Sequence, residues 1–232
     1  MGCDIHAYVD YETAKPEFED RRWVHNLGQF HVGRDYLLFG IMAGVRHADA
    51  KLFDPKGLPD AMSYTTNGDV SLFVLDQEET EERGCCTRAN AERWNKSYED
   101  QKARWGDRAG IGGYVDPEKQ RIYHPDWHSH SWLTTDELRQ VIEKYASYSE
   151  PQHLMAKRVN GEWEIPEGYM PDPAFADFFE KKADSENYQV MPLVSKEPVS
   201  LRAPAGIVAI YQAMKSLEES GNIARLVFWF DN

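Results

Sequence analysis

The strict two-residue alternation in "CDIHAYVDY", residues 3–11, constrains this chain more than any other stretch. Cys3, Ile5, Ala7, Val9 and Tyr11 fall on one side of an extended backbone; Asp4, His6, Tyr8 and Asp10 fall on the other. Strand side chains repeat every two residues, so the pattern predicts a strand with one apolar face. "RWVHNLGQF" reads as its return strand, "DVSLFVLD" as a further strand and "IARLVFWFDN" as a last one.

Helical spacing appears between these strands. In "GRDYLLFGIMAGVR", Asp35 suits an N-cap, and Leu37, Leu38, Ile41, Met42 and Val45 form the apolar stripe. In "TTDELRQVIEKYASY", Thr134 with Glu137 three residues on predicts a capping box. "PAGIVAIYQAMKSLEESGN" opens with Pro204 and closes with Gly221, and "DPAFADFFEKKA" predicts a short amphipathic helix from Pro173. Asn160-Gly161 suits a tight hairpin turn, and "GIGGYVDPEKQRIYHPD" a hairpin turning at Asp116-Pro117.

Strands and helices mix without regular alternation, which predicts an α+β fold. The expectation is a single mixed or antiparallel sheet, its N- and C-terminal strands near the centre, packed against three to four helices. One domain over residues 1–232 is expected, with a polar helical insertion around 77–112.

Composition narrows the function classes. A net charge of -13 disfavours nucleic-acid backbones and anionic membranes, which need a basic face. Three cysteines, with Cys85 and Cys86 adjacent, make no disulfide framework, so a cytoplasmic protein is expected. Asp4 and His6 stand where the basic and apolar regions of a leader would begin, and no apolar run approaches a membrane span. Kinase, dinucleotide-binding and zinc-finger motifs are not found.

The chemistry-bearing stretch is "HPDWHSHSWLTTDEL", residues 124–138. His124, Asp126, His128 and His130 alternate, so an extended segment puts all four on one face. Set beside Asp4 and His6, with Asp231 on the last strand, such a face offers ligands for zinc or manganese and a route to metal-activated water. The competing reading is a polar strand edge leading into a capped helix. Arg34, Asp35 and Tyr36 at a helix start suit a phosphate or carboxylate, or else pair with a neighbouring acid and pack on the sheet. Asp60 and Ser63 lie on a loop. Ser129 and Ser131 lack the turn that exposes a nucleophilic serine, and adjacent Cys85 and Cys86 suit zinc poorly.

"MGCDIHAYVDY", "GRDYLLFGIMAGVR", "GLPD", "HSHSWLTTDEL" and "RLVFWFDN" together resemble a family of uncharacterised bacteriophage and bacterial proteins. Its members carry a G-C-D-I-H strand, an R-N-Y-x-L-F helix start, a G-L-P-x-D loop, an H-S-x-S-W-L-T segment and a terminal F-D-N. The resemblance implies no activity. It ranks Asp4, His6, Arg34, Tyr36, Asp60, His128, Ser129, Ser131, Trp132, Asp231 and Asn232 above other polar positions. Asp35 departs from the pattern's Asn, Asp10 from its frequent Glu, and the position of His130 varies in it.

Three functions follow as expectations. The first is a metal-assisted hydrolase of a phosphoester or nucleotide, with Asp4, His6, His128 and Asp231 holding the ion and Arg34 clamping an anionic small molecule. Tyr36, Asp60, Ser129, His130 and Trp132 complete the expected ligand-binding set. The second is a non-catalytic protein that binds a nucleotide signal, such as a phage counter-defence factor. The third is an acidic interaction protein.

Overall fold

A computed structural model describes residues 2–13, 23–106, 110–115, 118, 120–147, 153–159, 162–164, 188–192 and 203–231. The class is α+β. The chain divides into two compact units, residues 1–142 with 203–232, and residues 143–202.

The first unit is built on a four-stranded antiparallel sheet in the order β2 (Trp23–Phe30), β1 (Asp4–Thr13), β10 (Ile223–Asp231), β6 (His128–Thr134). The strands from the two ends of the chain therefore hold its centre. β1 and β10 pair from Asp4↔Asp231 to Glu12↔Ile223 without a register shift. That long ladder fixes which side chains share a face. Asp4, His6, Tyr8 and Asp10 stand beside Asp231, Trp229, Val227 and Arg225 on one face. Ile5, Ala7 and Val9 stand beside Phe230, Phe228 and Leu226 on the other.

The second face carries the helices. Tyr36–Ala43 (α1) is capped as its sequence predicts, Asp35 accepting from the Leu38 N–H at 2.9 Å. It is buried from Leu38 through Ala43, broader than the expected stripe, and Phe39 meets Phe230 edge-on. Gly40 is required by close approach: a Cβ there would lie 2.4 Å from the His47 Cβ and 2.7 Å from its carbonyl oxygen. Ala205–Glu219 (α5, the fifth α-helix among the described residues) packs on β10 and β1 through buried Ile207, Ile210 and Met214. Thr135–Ser147 (α4) starts with the predicted capping box. The Thr134 N–H donates to Glu137 Oε2 at 2.9 Å, and the Glu137 N–H donates to Thr134 Oγ1 at 3.2 Å.

The first face, which carries the polar residues of β1, is covered as well. Tyr8 and Asp10 are buried. A loop from Leu52 to Ser63 and the short helix α2 (Tyr64–Asp69) lie over it, with Leu58, Met62 and Val70 packed against Tyr8 and Trp229. Asp10 anchors that cover. Its carboxylate accepts from Thr66 Oγ1 at 2.7 Å, the Ser63 N–H at 2.9 Å and Asn26 Nδ2 at 3.1 Å. Arg225, opposite Asp10 in the ladder, donates to the Ala61 carbonyl. Ser63, a loop candidate in the sequence, is the N-cap of α2 and accepts from the Thr66 N–H.

The expected polar insertion is α3 (Arg88–Trp105), capped by Thr87, with a small sheet in the order β4 (Cys85–Thr87), β3 (Leu72–Leu75), β5 (Arg121–Ile122). Val74, Cys86, Ala91 and Ile122 form its core. The expected hairpin over 110–126 is seen as Tyr114 bridging Ile122.

The second unit holds a three-stranded sheet in the order β8 (Glu162–Glu164), β7 (His153–Val159), β9 (Tyr188–Pro192). β7 and β8 pair antiparallel as far as Val159↔Glu162, and the turn expected at Asn160-Gly161 lies outside the described residues. The helix expected over 172–183 and the terminal Asn232 lie outside the described residues. Among the described residues, no helix is long and apolar enough to cross a membrane.

Candidate functional site

Three of the four residues expected to hold a metal meet where β1 starts and β10 ends. His6 Nε2 lies 2.9 Å from Asp231 Oδ2, and Asp231 Oδ1 accepts from the Asp4 N–H at 3.0 Å. Arg34 grips Asp4 with both arms of its fork, Nε to Oδ1 at 2.5 Å and a terminal nitrogen to Oδ2 at 2.6 Å. That guanidinium holds the Asp4 carboxyl below the usual carboxylate range. Gly2 sits against Arg34, since a Cβ there would come within 2.4 Å of the guanidinium. Cys3 is buried beside this cluster, and burial pushes its thiol up, away from the reactive thiolate.

His128 does not join them. Continued in regular register from Ser131↔Phe228, β6 would set His128 opposite Asp231, on the face of His6. A β-bulge intervenes: Phe228 pairs with Ser131 but Phe230 pairs with His128, so Ser129 and His130 together face the single residue Trp229. Ser129 absorbs the extra residue with a left-handed backbone, φ 51°. The shift turns His128 to the helix-covered face, where its ring stacks on Phe230 at 6.0 Å, with Nδ1 3.0 Å from Ser129 Oγ. The four-ligand set Asp4, His6, His128 and Asp231 is therefore not assembled. In the remaining three, Asp4 gives both oxygens to Arg34 and Asp231 gives its oxygens to His6 and a backbone amide. Among the described residues, no group of three or more His, Cys, Asp or Glu is arranged to hold an ion.

What surrounds His6 is aromatic. Its ring lies parallel to Trp229, centroids 5.4 Å apart and planes 6° apart, and Trp127 stands 5.7 Å away at 50°. Trp229 is also stacked on Tyr8 at 5.1 Å and tilted against Trp127 at 5.6 Å. His124 joins Trp127 at 5.2 Å and Trp94 at 5.6 Å, so rings run from α3 to the centre of the sheet. Burial pulls the His124 pKa down, against the fields of Asp126 and Asp231 that raise it. The side chains of His6 and Asp231 remain 26% and 31% exposed, so the pair is open to solvent.

The other ligand-binding candidates divide. Arg34 belongs to the cluster. Tyr36 is the first residue of α1, edge-on to Phe39, with the Arg46 guanidinium 6.0 Å over its ring. Trp132 lies under the Lys56 ammonium at 4.1 Å, and Lys56 reaches on to Glu137 at 2.6 Å. The Gly57 N–H donates to the His130 carbonyl and the Lys56 N–H to Ser131 Oγ, so the Gly-Leu-Pro loop seals the edge of β6. Asp60 is exposed on that loop. Ser129 is the bulge residue, and His130 is buried beside Trp229.

Trp127 and Trp229 were not among the residues expected at the site. Trp229 sits in "LVFWF", where its sequence context is that of any core strand. The signal that pointed near Trp127 was its place inside the His-rich run. Compared with models of known protein families, with curated proteins and with solved structures, the chain matches none.

Proposed function

We propose that the His6–Asp231 dyad is a general acid–base centre acting on a small molecule that carries a flat ring and an anionic group, as a nucleotide phosphoester does. One observation carries the reading: an imidazole hydrogen-bonded to a carboxylate, set against two mutually touching indole rings and open to solvent. A carboxylate on Nε2 orients the ring and fixes the tautomer in which Nε2 carries the proton. Nδ1 is then the basic nitrogen, and it has no hydrogen-bond partner among the described residues. Positioned so, His6 takes a proton from an attacking water and returns it to the leaving oxygen.

The partly exposed Trp127 and the His6 ring supply stacking surface for the ring of the ligand. Arg34 is the adjacent cation, and an anionic group draws on it by competing with Asp4. A divalent ion, in this reading, enters only by taking Asp4 from Arg34.

The test is cleavage of a panel of nucleoside monophosphates, diphosphates and cyclic nucleotides, followed by mass spectrometry, with manganese, with zinc and with chelator. Cleavage is expected to fall about a hundredfold or more in His6→Asn, with a smaller loss in Asp231→Asn, and both variants folded. Cleavage untouched by His6→Asn sinks the proposal. A second reading, capture without turnover, is favoured by the ring stack itself, which binds flat ligands whatever chemistry follows. It predicts that bound ligand is recovered intact.

A further inference from the structure

Behind His6, on the same face, three buried nitrogens have no partner. His130 is 2% exposed and Trp229 is fully buried, yet both ring nitrogens of His130 and the indole nitrogen of Trp229 make no hydrogen bond. Native interiors rarely leave such groups unpaired, and three together on two neighbouring rings need an explanation. The rings lie 6.2 Å apart by centroid with planes 22° apart. Near-parallel planes turn the ring edges that carry these nitrogens the same way and favour something flat beside them.

The chemistry of the pair is specific. The indole offers a donor only, and a neutral imidazole offers one donor and one acceptor. Burial, with a smaller push from His128, holds the His130 pKa down at about 4, so the ring is neutral near pH 7. A neutral, buried, donor-rich pair suits an uncharged group that both accepts and donates. Tyr123, 5.8 Å from His130, and Trp127, 5.6 Å from Trp229, are partly exposed members of the same cluster, and both lie between β5 and β6. A ligand reaching the pair would have to pass these two rings.

We propose that His130 and Trp229 form an interior recognition site for the amide edge of a flat cyclic amide, the lactam of a pyrimidine-type ring. The ring carbonyl accepts from the Trp229 indole N–H, and the adjoining ring N–H donates to the bare nitrogen of His130. This rests on the proposed stacking site and gives its ligand a chemical class: a ring bearing a lactam, with the anionic group left outside near His6 and Arg34.

Uracil and 1,3-dimethyluracil, which lacks both ring N–H groups, are the probes. Titration into the full-length chain is followed by nitrogen–proton NMR at the Trp229 indole N–H, with imidazole nitrogen shifts for His130. Uracil is expected to move both signals saturably, and the dimethylated ring to bind about tenfold or more weakly. His130→Phe, which keeps a flat ring and removes both nitrogens, is expected to weaken uracil to a similar degree.

The unmodified chain carries the test even if the variant fails to fold. No saturable shift with uracil, equal shifts with both probes, or signals that report exchange with ordered water alone overturn the proposal. Uracil binding without nucleotide cleavage removes only the acid–base reading. Cleavage without any uracil response at Trp229 removes only this one.

Discussion

Asp10 gives the sharpest test of how the site is held. The residue is fully buried on β1 and accepts three hydrogen bonds, from Ser63, Thr66 and Asn26, that tie α2 and its preceding loop to the sheet. Asp10→Ala removes the acceptor and strands a backbone N–H, a hydroxyl and an amide in a space closed to solvent. Bonds to a charged acceptor contribute about 1.5–3 kcal/mol each, and they do not add fully. Breaking a buried charged network costs about 3–5 kcal/mol. We expect Asp10→Ala to lose that amount, a large share of the roughly 5–15 kcal/mol available to a folded protein. Asp10→Asn keeps the shape and one acceptor oxygen but turns an NH2 toward groups that donate, and should lose about half as much.

Urea unfolding reads the difference. With an m-value of about 2 kcal/mol/M, a 4 kcal/mol loss lowers the midpoint by about 2 M. Intrinsic tryptophan emission should shift with it even in native buffer, because Met62 and Leu58 from the anchored loop pack against the cluster that holds Trp229. A midpoint for Asp10→Ala within about 0.5 M of the unmodified chain would falsify the argument, since it would mean the three donors find other partners.

Other outcomes follow from the same geometry. His130, neutral and buried with its pKa down at about 4, makes folding stability fully present above about pH 6.5 and progressively lost as pH falls toward 4, by about 3 kcal/mol. His130→Phe should flatten that part of a stability–pH profile measured by thermal unfolding; an unchanged slope would contradict the burial. Gly40→Ala, pressed against the His47 backbone, should cost about 1–3 kcal/mol and lower the melting temperature. Thr87→Ala, removing the cap that accepts from the Asn90 N–H at 3.2 Å, should cost about 1 kcal/mol, read as earlier hydrogen exchange in α3.

Local chemistry was legible in the chain, and its limits are physical. The alternation of residues 3–11, the Asp35 cap and the Thr134–Glu137 box depend on neighbours a few residues apart, and each appears where its pattern places it. The placing of both terminal strands at the sheet centre also follows from their long apolar faces, which need partners on either side. The sequence groups Asp4, His6, Arg34 and Asp231 with His128, and the first four converge without it.

Tertiary structure alone decided what they converge with. The even spacing of His124, Asp126, His128 and His130 is a real periodicity, but periodicity assigns faces only while the register holds. One extra residue at Ser129, set by how β6 must meet β10, sends His128 to the helix side and leaves His130 facing Trp229. The covering of the polar face likewise depends on Asp10 meeting Ser63 and Thr66 across more than fifty positions. Pairing over such distances is paid for by the whole folded sheet, and no short stretch of sequence contains it.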